Sequence, residues 1–352
     1  MHFDETRLQK KVGKYQFAKS NALTDTTLLA HASEYRTNVS RKYIQLSAGD
    51  IKERFNSNDE VCVSTKYDGE GVFLFYNAEE DGPPFLYNAP SGRIRIGLKC
   101  LDVAAEKLQQ AGIKKALLVG ELYHPKVKGK PRPTVSDVIT ISFTGTAKEL
   151  NNLTFAAFDA IMIDGQDWRK KANDFKTTWK RLAEVLGDTD KDLAHRVVGN
   201  IVTEDQVGEL FAKAEKAEEE GVVVRRLDRQ DIFKIKPALT IDAAVIGYVE
   251  GEFEGKYGVT SLMLGLSGED GVIREFGRVG SGLTDEERIR LLSELSAEKI
   301  DAPVIKTDSD GRPVSFVKPR LIVETAGENL EAENLSGREN LTQTFTYADG
   351  KY

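Results

Sequence analysis

The chain has 352 residues, which suits two domains or one large domain with an appendage. Its 40% hydrophobic and 30% charged residues are typical of a soluble globular protein, and its net charge of −7 excludes a uniformly basic nucleic-acid-binding domain, although a basic groove can lie within an acidic average. Two cysteines and four dispersed histidines exclude a disulfide framework and a standard zinc spacing, and the lack of a signal peptide or a long apolar run predicts a cytoplasmic chain with no membrane partner.

Residues 1–59 are predicted to form a polar extension that packs on the domain after it. Within it, segment 43–55 is predicted to be a short helix leading into the first strand. A basic patch earlier in the extension could contact phosphate groups, but such a patch is more often one solvated face of a helix. The patch consists of Lys10, Lys11, Lys14 and Lys19.

The segment 64–75 begins with polar residues and continues as an apolar run, which predicts a turn that enters a buried strand. Lys66 and Asp68 stand two residues apart, so at strand spacing their side chains point the same way. An amine and a carboxylate aimed at one place can bind a phosphate, through the charge of the first and the metal affinity of the second. Taken alone, however, Lys-x-Asp-Gly is usually a solvated turn.

Two later carboxylates stand next to a glycine at the end of a predicted strand. Glu121 follows the run 116–119 and Gly120, and Glu220 precedes Gly221 and another apolar run. Such positions suit ligand binding, although a surface glutamate is an equally simple interpretation. In the strand 232–236, Lys234 and Lys236 share one side, either facing a ligand or protecting an edge strand.

A proline-containing loop carries the most concentrated positive charge in the chain and is the best candidate for contacting a nucleic-acid backbone in a salt-sensitive way. Its basic residues are Lys126, Lys128, Lys130 and Arg132. In the following strand, 153–163, Phe158 is either a core residue or a platform on which a base stacks.

After residue 238 the pattern changes to short strands with one helix, 284–295, for which Thr284 is the predicted N-cap. This pattern suggests a small barrel of the oligonucleotide-binding (OB) type. The predicted domains are therefore 1–59, 60–238 and 239–352.

The order and spacing of these motifs resemble the covalent nucleotidyltransferases, that is, ATP-dependent DNA ligases, RNA ligases and messenger-RNA capping enzymes. The ordered series is Lys66-Tyr-Asp-Gly, Gly120-Glu121-Leu, Phe158-Asp159, Glu220-Gly-Val-Val-Val and Phe233-Lys234-Ile-Lys236-Pro. Segments 158–165, 179–182, 245–248, 277–287 and 317–324 look like parts of ATP-dependent DNA ligases. The resemblance covers about residues 60–325. It implies an α+β fold in which a nucleotidyltransferase (adenylation) domain of antiparallel sheets with flanking helices precedes an OB-fold β-barrel.

The resemblance also implies a reaction and its residues. Lys66 would attack the α-phosphorus of ATP to form lysyl–AMP, the AMP would pass to a 5′-phosphate, and a 3′-hydroxyl would expel it. The implied catalytic residues are Lys66, Asp68, Lys234 and Lys236. The implied nucleotide-binding residues are Thr65, Lys66, Arg93, Glu121, Phe158, Glu220, Lys234 and Lys236. The implied Mg²⁺ ligands are Asp68, Glu121 and Glu220.

Among these roles, Phe158 would stack on adenine, Glu121 would bond to the ribose, Arg93 would contact the ribose or the 5′-phosphate, and the two later lysines would contact the α-phosphate. The substrate would be a nicked duplex, with DNA favoured over RNA, and the protein is expected to be a monomer.

Three positions depart from the family pattern. Gly71 stands where an arginine is usual, Ser64 stands where many DNA ligases have a glutamate that reads adenine, and no Arg- and Lys-rich motif is evident after residue 324. These departures leave open an RNA ligase, a GTP-using guanylyltransferase of the capping type, and a non-enzymatic nucleic-acid-binding module.

Overall fold

The computed structural model describes residues 2–127, 132–171, 174–229, 231–237, 239–302, 304–327 and 341–352. The chain divides into two compact units, residues 1–237 and 238–352. Both combine helices with mainly antiparallel sheets, which confirms the predicted α+β class. No helix in the described part of the chain has both the length and the apolar character that a membrane span requires.

In its described residues the first unit contains fourteen strands and eight α-helices. The strands are β1 (Gln9–Val12), β2 (Tyr15–Ala18), β3 (Ile44–Leu46), β4 (Glu60–Thr65), β5 (Glu70–Asn77), β6 (Phe85–Asn88), β7 (Arg93–Ile96), β8 (Lys115–Tyr123), β9 (Thr154–Ile163), β10 (Gln166–Asp167), β11 (Ala194–Arg196), β12 (Gly199–Thr203), β13 (Val222–Arg226) and β14 (Ile232–Ile235). The helices are α1 (Thr26–Asn38), α2 (Ile51–Arg54), α3 (Lys99–Gln110), α4 (Val135–Thr144), α5 (Ala147–Asn151), α6 (Trp168–Lys171), α7 (Phe175–Leu186) and α8 (Val207–Lys216).

The larger sheet of this unit has nine strands within the described residues. Eight follow the order β1-β2-β7-β6-β5-β8-β9-β10, and β11 pairs in parallel with β9. Apolar residues of α3, α4, α5 and α7 contribute to the core cluster on one face, and α1 packs into a second cluster on the other. A sheet whose two faces are both covered needs nearly continuous apolar strands, as β8 and β9 are.

The smaller sheet has the described order β12-β4-β13-β14-β3. Along β4 the side chains alternate: Val61 and Val63 join the core formed with α2 and α8, whereas Cys62 joins a cluster with residues of β8, β9 and α7. This second cluster connects the two sheets, so the face of β4 that carries Cys62 is directed toward the larger sheet.

The second unit has one sheet and one α-helix in its described residues. Its elements are β15 (Leu239–Phe253), β16 (Lys256–Ser267), β17 (Val272–Val279), α9 (Asp285–Ala297), β18 (Ser315–Phe316), β19 (Ile322–Gly327) and β20 (Thr344–Thr346). The sheet order is β18-β15-β16-β17-β20, with β19 also paired to β15. Thr284 caps α9 in a capping box with Glu287, as its sequence position predicts. The described strands do not close into a barrel.

Three local expectations differ from the structure. In segment 43–55 the predicted helix is present only from residue 48, because strand β3 comes first and a 3₁₀ helix, Ala48–Asp50, then continues into α2. The basic patch at 10–19 lies on and beside the hairpin β1–β2 rather than on a helix. Strand β14 is not an edge strand, because it lies between β13 and β3. These differences have the same cause. Pairing with distant strands determines the conformation and sheet position of such short segments more than local composition does.

Candidate active site

Three strand ends of the smaller sheet meet at Lys66. Strand β13 is antiparallel to β4 on one side and to β14 on the other, so the end of β4 and the end of β14 lie beside the start of β13. The chain therefore brings together Lys66 after β4, Glu220 before β13 and Lys236 after β14. The backbone N–H of Lys66 donates to the carbonyl of Gly221 at 3.1 Å, which fixes this junction.

Glu220 holds both lysines through one carboxylate oxygen. Lys66 Nζ forms an ion pair with Glu220 Oε1, and Lys236 Nζ lies 3.1 Å from the same atom. Glu220 is buried, and its other oxygen, Oε2, is buried without a hydrogen-bond partner among the described residues. The amine of Lys66 is thus held in place beside a carboxylate oxygen that can still accept a ligand.

Lys66 lies between two clefts, and the first is an open cavity lined by residues of both sheets of the first unit. Of the residues predicted to bind a nucleotide, the cavity is lined by Thr65, Lys66, Glu121, Phe158 and Lys234. Its further aromatic lining is Tyr43, Tyr67, Phe175 and Trp179.

Glu121 on β8 and Lys234 on β14 line this cavity from different sheets. Burial raises the pKa of Glu121 to about 8, an effect that Lys66 opposes and Glu220 reinforces. Burial and the nearby charge of Lys66 lower the pKa of Lys234, whose Nζ lies 4.4 Å from the centre of the Tyr43 ring. The raised pKa of Glu121 favours its uncharged form, and the lysines beside it suit an anionic ligand.

Phe158 reaches the cavity through an irregularity in β9. The β8 residue Val119 pairs with Asp159 and the next residue, Gly120, pairs with Ala157, so Phe158 has no partner on β8. Such a bulge redirects one side chain. Phe158 accordingly remains partly exposed in a strand that is otherwise nearly all buried.

The neighbouring Asp159 is an anchor rather than a ligand-facing group. It is buried, accepts a hydrogen bond from the Tyr35 hydroxyl at 2.9 Å and pairs with Arg225 at 2.8 Å. Burial alone would raise the pKa of Asp159, but Arg225 and Arg229 outweigh it, and the pKa lies below its ordinary value. Arg225 lines the cavity with its charge compensated and packs over the Phe175 ring at 4.1 Å.

Asp68 and Arg132 lie in the second cleft, whose lining also includes Lys66 and Glu220. The backbone N–H of Val135 donates to Asp68 Oδ1 at 3.2 Å, and Arg132 Nη2 is 3.8 Å from Asp68 Oδ2. Burial and the charge of Glu220 raise the pKa of Asp68. The last residue of the predicted basic loop thus reaches the Lys66 site.

The rest of that loop is only partly defined. Lys126 is exposed, and its backbone N–H donates to His124 Nδ1 at 3.2 Å. Lys128 and Lys130 lie outside the described residues. Their predicted contact with nucleic acid stays a prediction.

Arg93 lines neither of these two clefts. Its Nη1 lies 2.6 Å from Glu70 Oε1, the other oxygen of Glu70 pairs with Arg95 at 2.5 Å, and the guanidinium packs over the Phe143 ring. Gly71, which follows Glu70, stands where an arginine is usual in the family. A Cβ built on Gly71 would be 4.0 Å from Glu121 Oε2, so this position adjoins the site. The predicted role of Arg93 stays a prediction.

Sequence reasoning missed a set of residues around the site. One group consists of the cavity residues Tyr43 and Arg225, and the charge of Arg225 after three valines was a usable signal. The other is an aromatic stack. The ring centres of Tyr67 and Tyr123 lie 4.1 Å apart, and the Tyr123 hydroxyl is 2.9 Å from His195 Nε2. This stack supports the residue directly after Lys66, and only the pairing of distant strands reveals it.

No three side chains of histidine, cysteine, aspartate or glutamate lie together in the described residues as a metal cage. The site instead offers separate carboxylates, one with a buried oxygen that has no hydrogen-bond partner, Glu220 Oε2. Mg²⁺ is usually bound by one or two carboxylates together with water and substrate phosphates. The donor set fits that kind of site.

Comparisons with known proteins show what this chain is similar to. The sequence model of the family "ATP dependent DNA ligase C terminal region" matches residues 255–344. A "Probable DNA ligase" of Streptomyces griseus is 26% identical over an alignment that covers 87% of this chain. The chain is similar in sequence to DNA ligases.

The ligase relatives also define how far the similarity reaches. A "DNA ligase" of Halorubrum lacusprofundi is 26% identical over 81% of this chain. The chain spans 61% of the Streptomyces ligase and 49% of the Halorubrum ligase. A solved structure titled "Pmar-Lig_Pre." is 14% identical, with a TM-score of 0.50 over 81% of this chain and 69% of that chain, which is a likeness of fold.

Proposed function

We propose that this chain is the catalytic core of an ATP-dependent DNA ligase, which joins a 3′-hydroxyl to a 5′-phosphate at a nick through a lysyl–AMP intermediate. The observation that carries the proposal is the position of Lys66. Its amine is held by Glu220 between an aromatic-lined cavity and a second cleft, and Lys234 and Lys236 stand beside it. The similarity to DNA ligases over most of the chain supports the same conclusion.

In the first step, the Lys66 ammonium loses a proton to water and its nitrogen bonds to the α-phosphorus of ATP, while the bond to the bridging oxygen breaks and pyrophosphate leaves. A second proton passes from the nitrogen to water as the phosphoramidate forms. The negative charge on the reacting phosphate is compensated by Lys234 and Lys236. Phe158 stacks on the adenine and Glu121 bonds to the ribose. Charge compensation and positioning carry such displacements, because the protein supplies little covalent chemistry besides the amine.

In the second step, an oxygen of the DNA 5′-phosphate attacks the same phosphorus, the bond to Lys66 breaks, and the amine regains a proton. In the third step, the 3′-hydroxyl loses its proton, its oxygen bonds to the 5′-phosphorus, and AMP leaves. Asp68 suits a role near that hydroxyl, because its raised pKa makes it a better proton acceptor than an ordinary aspartate.

Mg²⁺ is the metal we propose for these steps, with Glu220 Oε2 as the leading ligand and with Asp68 and Glu121 beside it. When bound, it would neutralise phosphate charge. We also propose that the second unit is an OB-type domain. Its antiparallel sheet of long and short strands, with α9 packed against one face, and the family match at residues 255–344 support this assignment.

The test is nick sealing. The protein is given ATP, magnesium and a nicked DNA duplex carrying a 5′-phosphate, with a duplex lacking that phosphate as the control. We expect a joined strand from the phosphorylated nick alone, and no joining with Lys66→Ala. Sealing of nicked RNA but not of nicked DNA would move the assignment to an RNA ligase, and activity with GTP in place of ATP would move it to capping chemistry.

A further inference from the structure

The hairpin formed by β1 and β2 carries an unusual concentration of positive charge. Residues 8–24 contain four lysines and no acidic residue, in a chain whose net charge is −7. We call Lys10, Lys11, Lys14 and Lys19 the hairpin lysines. All four are exposed, and in the described part of the chain none of them forms an ion pair.

Packing does not explain this charge. All four residues of β1 are exposed, including Val12, so the strand buries no side chain and contributes nothing to the core. Strand β2 is different, because Tyr15, Phe17 and Ala18 are buried. The hairpin is therefore a firmly attached strand, β2, that presents an outer strand to solvent.

Besides the pairing of β2 with β7, the hairpin contacts the end of helix α4. The Tyr15 hydroxyl donates to the carbonyl of Ser142 at 3.1 Å, and the Phe17 ring lies 5.1 Å from that of Phe143. Lys19 Nζ lies 5.6 Å from the same Phe143 ring. The hairpin lysines thus have a defined position relative to α4.

The other end of α4 reaches the Lys66 site. Val135, the first residue of the helix, donates its backbone N–H to Asp68, and Arg132 lies just before the helix. From Val135 to Ser142 the helix rises roughly 10 Å, at about 1.5 Å per residue. On a DNA duplex this corresponds to about three base pairs, at roughly 3.4 Å each.

We propose that the hairpin lysines bind the phosphate backbone of duplex DNA about three or more base pairs from the nick, and that they extend the basic surface that begins at Arg132. The inference rests on the proposed function, because it takes the reacting nick to lie at Lys66 and Asp68. Charge complementarity selects a polynucleotide backbone as the occupant. The competing explanation is that lysines on an edge strand prevent sheets of two molecules from pairing.

The test compares two triple variants of the full chain that change the net charge equally. The first is Lys10→Ala, Lys11→Ala and Lys14→Ala. The control is Lys52→Ala, Lys180→Ala and Lys213→Ala, three exposed lysines on α2, α7 and α8. The affinity for a fluorescent nicked duplex is measured over a series of salt concentrations, and thermal melting confirms that each variant is folded.

We expect the hairpin variant to bind at least tenfold more weakly than the control at low salt. The slope of log affinity against log salt should decrease by about two to three, at roughly 0.9 per lost phosphate contact. A variant with arginine at the three hairpin positions should bind like the unmodified protein, because it keeps the charges.

A hairpin variant with the affinity and salt slope of the control would overturn the inference, and so would self-association of that variant without loss of DNA affinity. Labelling of the unmodified protein by ATP separates this failure from that of the proposed function. If ATP labels the unmodified protein but the hairpin variant binds DNA like the control, the inference alone is refuted. If ATP does not label the unmodified protein, the proposed function on which the inference rests is refuted.

Discussion

Lys66, Glu220 and Lys236 illustrate what could be predicted at the scale of single residues. Each follows or precedes a short apolar run, so the sequence indicates that they stand at strand ends, and the ordered motifs predict that the ends meet. Phe158 is the opposite case. Its place on a strand was predictable, but its direction depends on the bulge between β8 and β9, which local sequence does not reveal.

Replacing Phe158 by alanine should weaken ATP binding about tenfold, because stacking of a base on an aromatic ring contributes about 1–3 kcal/mol. The measurement is equilibrium binding of ATP in the Lys66→Ala background, where the covalent step cannot occur. Phe158→Tyr in the same background is the matched control and should retain affinity. Equal affinity of the alanine and tyrosine variants would show that Phe158 does not stack on the base.

Asp159→Asn should destabilise the protein by about 3–5 kcal/mol, because it leaves the buried Arg225 without its counter-charge. The pKa of Asp159 is lowered in the folded state, so its ionisation stabilises the fold above about pH 4, the ordinary range of an aspartate, and this contribution is lost as the pH falls through the lower folded pKa. The difference between the two proteins should therefore shrink in acid.

Denaturant unfolding at neutral and acidic pH measures this effect. Glu209→Gln, which removes an exposed helix ion pair with Lys213, is the control and should change stability by less than about 0.5 kcal/mol. An Asp159→Asn variant as stable as the control at neutral pH would contradict the anchoring role.

At the scale of elements, the site depends on the close approach of β13 and β14 at Gly221. This glycine has φ +127°, and a Cβ built on it would lie 2.0 Å from the carbonyl oxygen of Ile235. A side chain there must separate the strand ends that hold Glu220 and Lys236. The sequence shows that a glycine stands beside a carboxylate. It does not show that β13 pairs with β14, which is why a glycine is required there.

Gly221→Ala should therefore reduce AMP transfer to the protein by at least tenfold, with a loss of stability. Gly112→Ala is the matched control, because Gly112 also has a positive φ, +72°, but has no atom within 4 Å of the built Cβ. It should cost about 1–2 kcal/mol of backbone strain and leave AMP transfer intact. The readout is labelled protein per folded protein, and equal labelling of both variants would refute the argument.

Several elements were predicted with the wrong type or length for the same reason. The hairpin β1–β2 and the strand β3 belong to the first 59 residues, yet they are paired into the larger and the smaller sheet, respectively. In contrast, α9 was predicted together with its cap, because a capping box is a local signal. The sequence therefore predicts local features such as a helix cap, but it does not predict which distant strands pair.

At the scale of the whole molecule, the two units have separate hydrophobic cores. The described clusters of the first unit contain no residue of the second, and the reverse also holds. The change of sequence pattern near residue 238 indicated a second domain. Whether its sheet closes into a barrel could not be predicted from the sequence pattern, because closure depends on which edge strands pair with each other.

Thermal unfolding should reflect these separate cores in two transitions. Leu264→Ala, at a site 2% exposed in the second unit, should cost about 2–5 kcal/mol and lower one transition by several degrees. Leu118→Ala, at a site 1% exposed in the first unit, should lower the other. Calorimetry measures both, and a joint shift of the two transitions by either variant would mean that the units unfold together.

The most direct test of the role of Lys66 is to locate the AMP on the protein. The protein is incubated with ATP and magnesium, denatured, digested and examined by mass spectrometry, with Lys66→Arg in parallel. We expect one AMP group, carried by the peptide that contains Lys66 and absent from the variant. An unmodified peptide in a folded sample, or an AMP group on another lysine, would contradict the central role of Lys66.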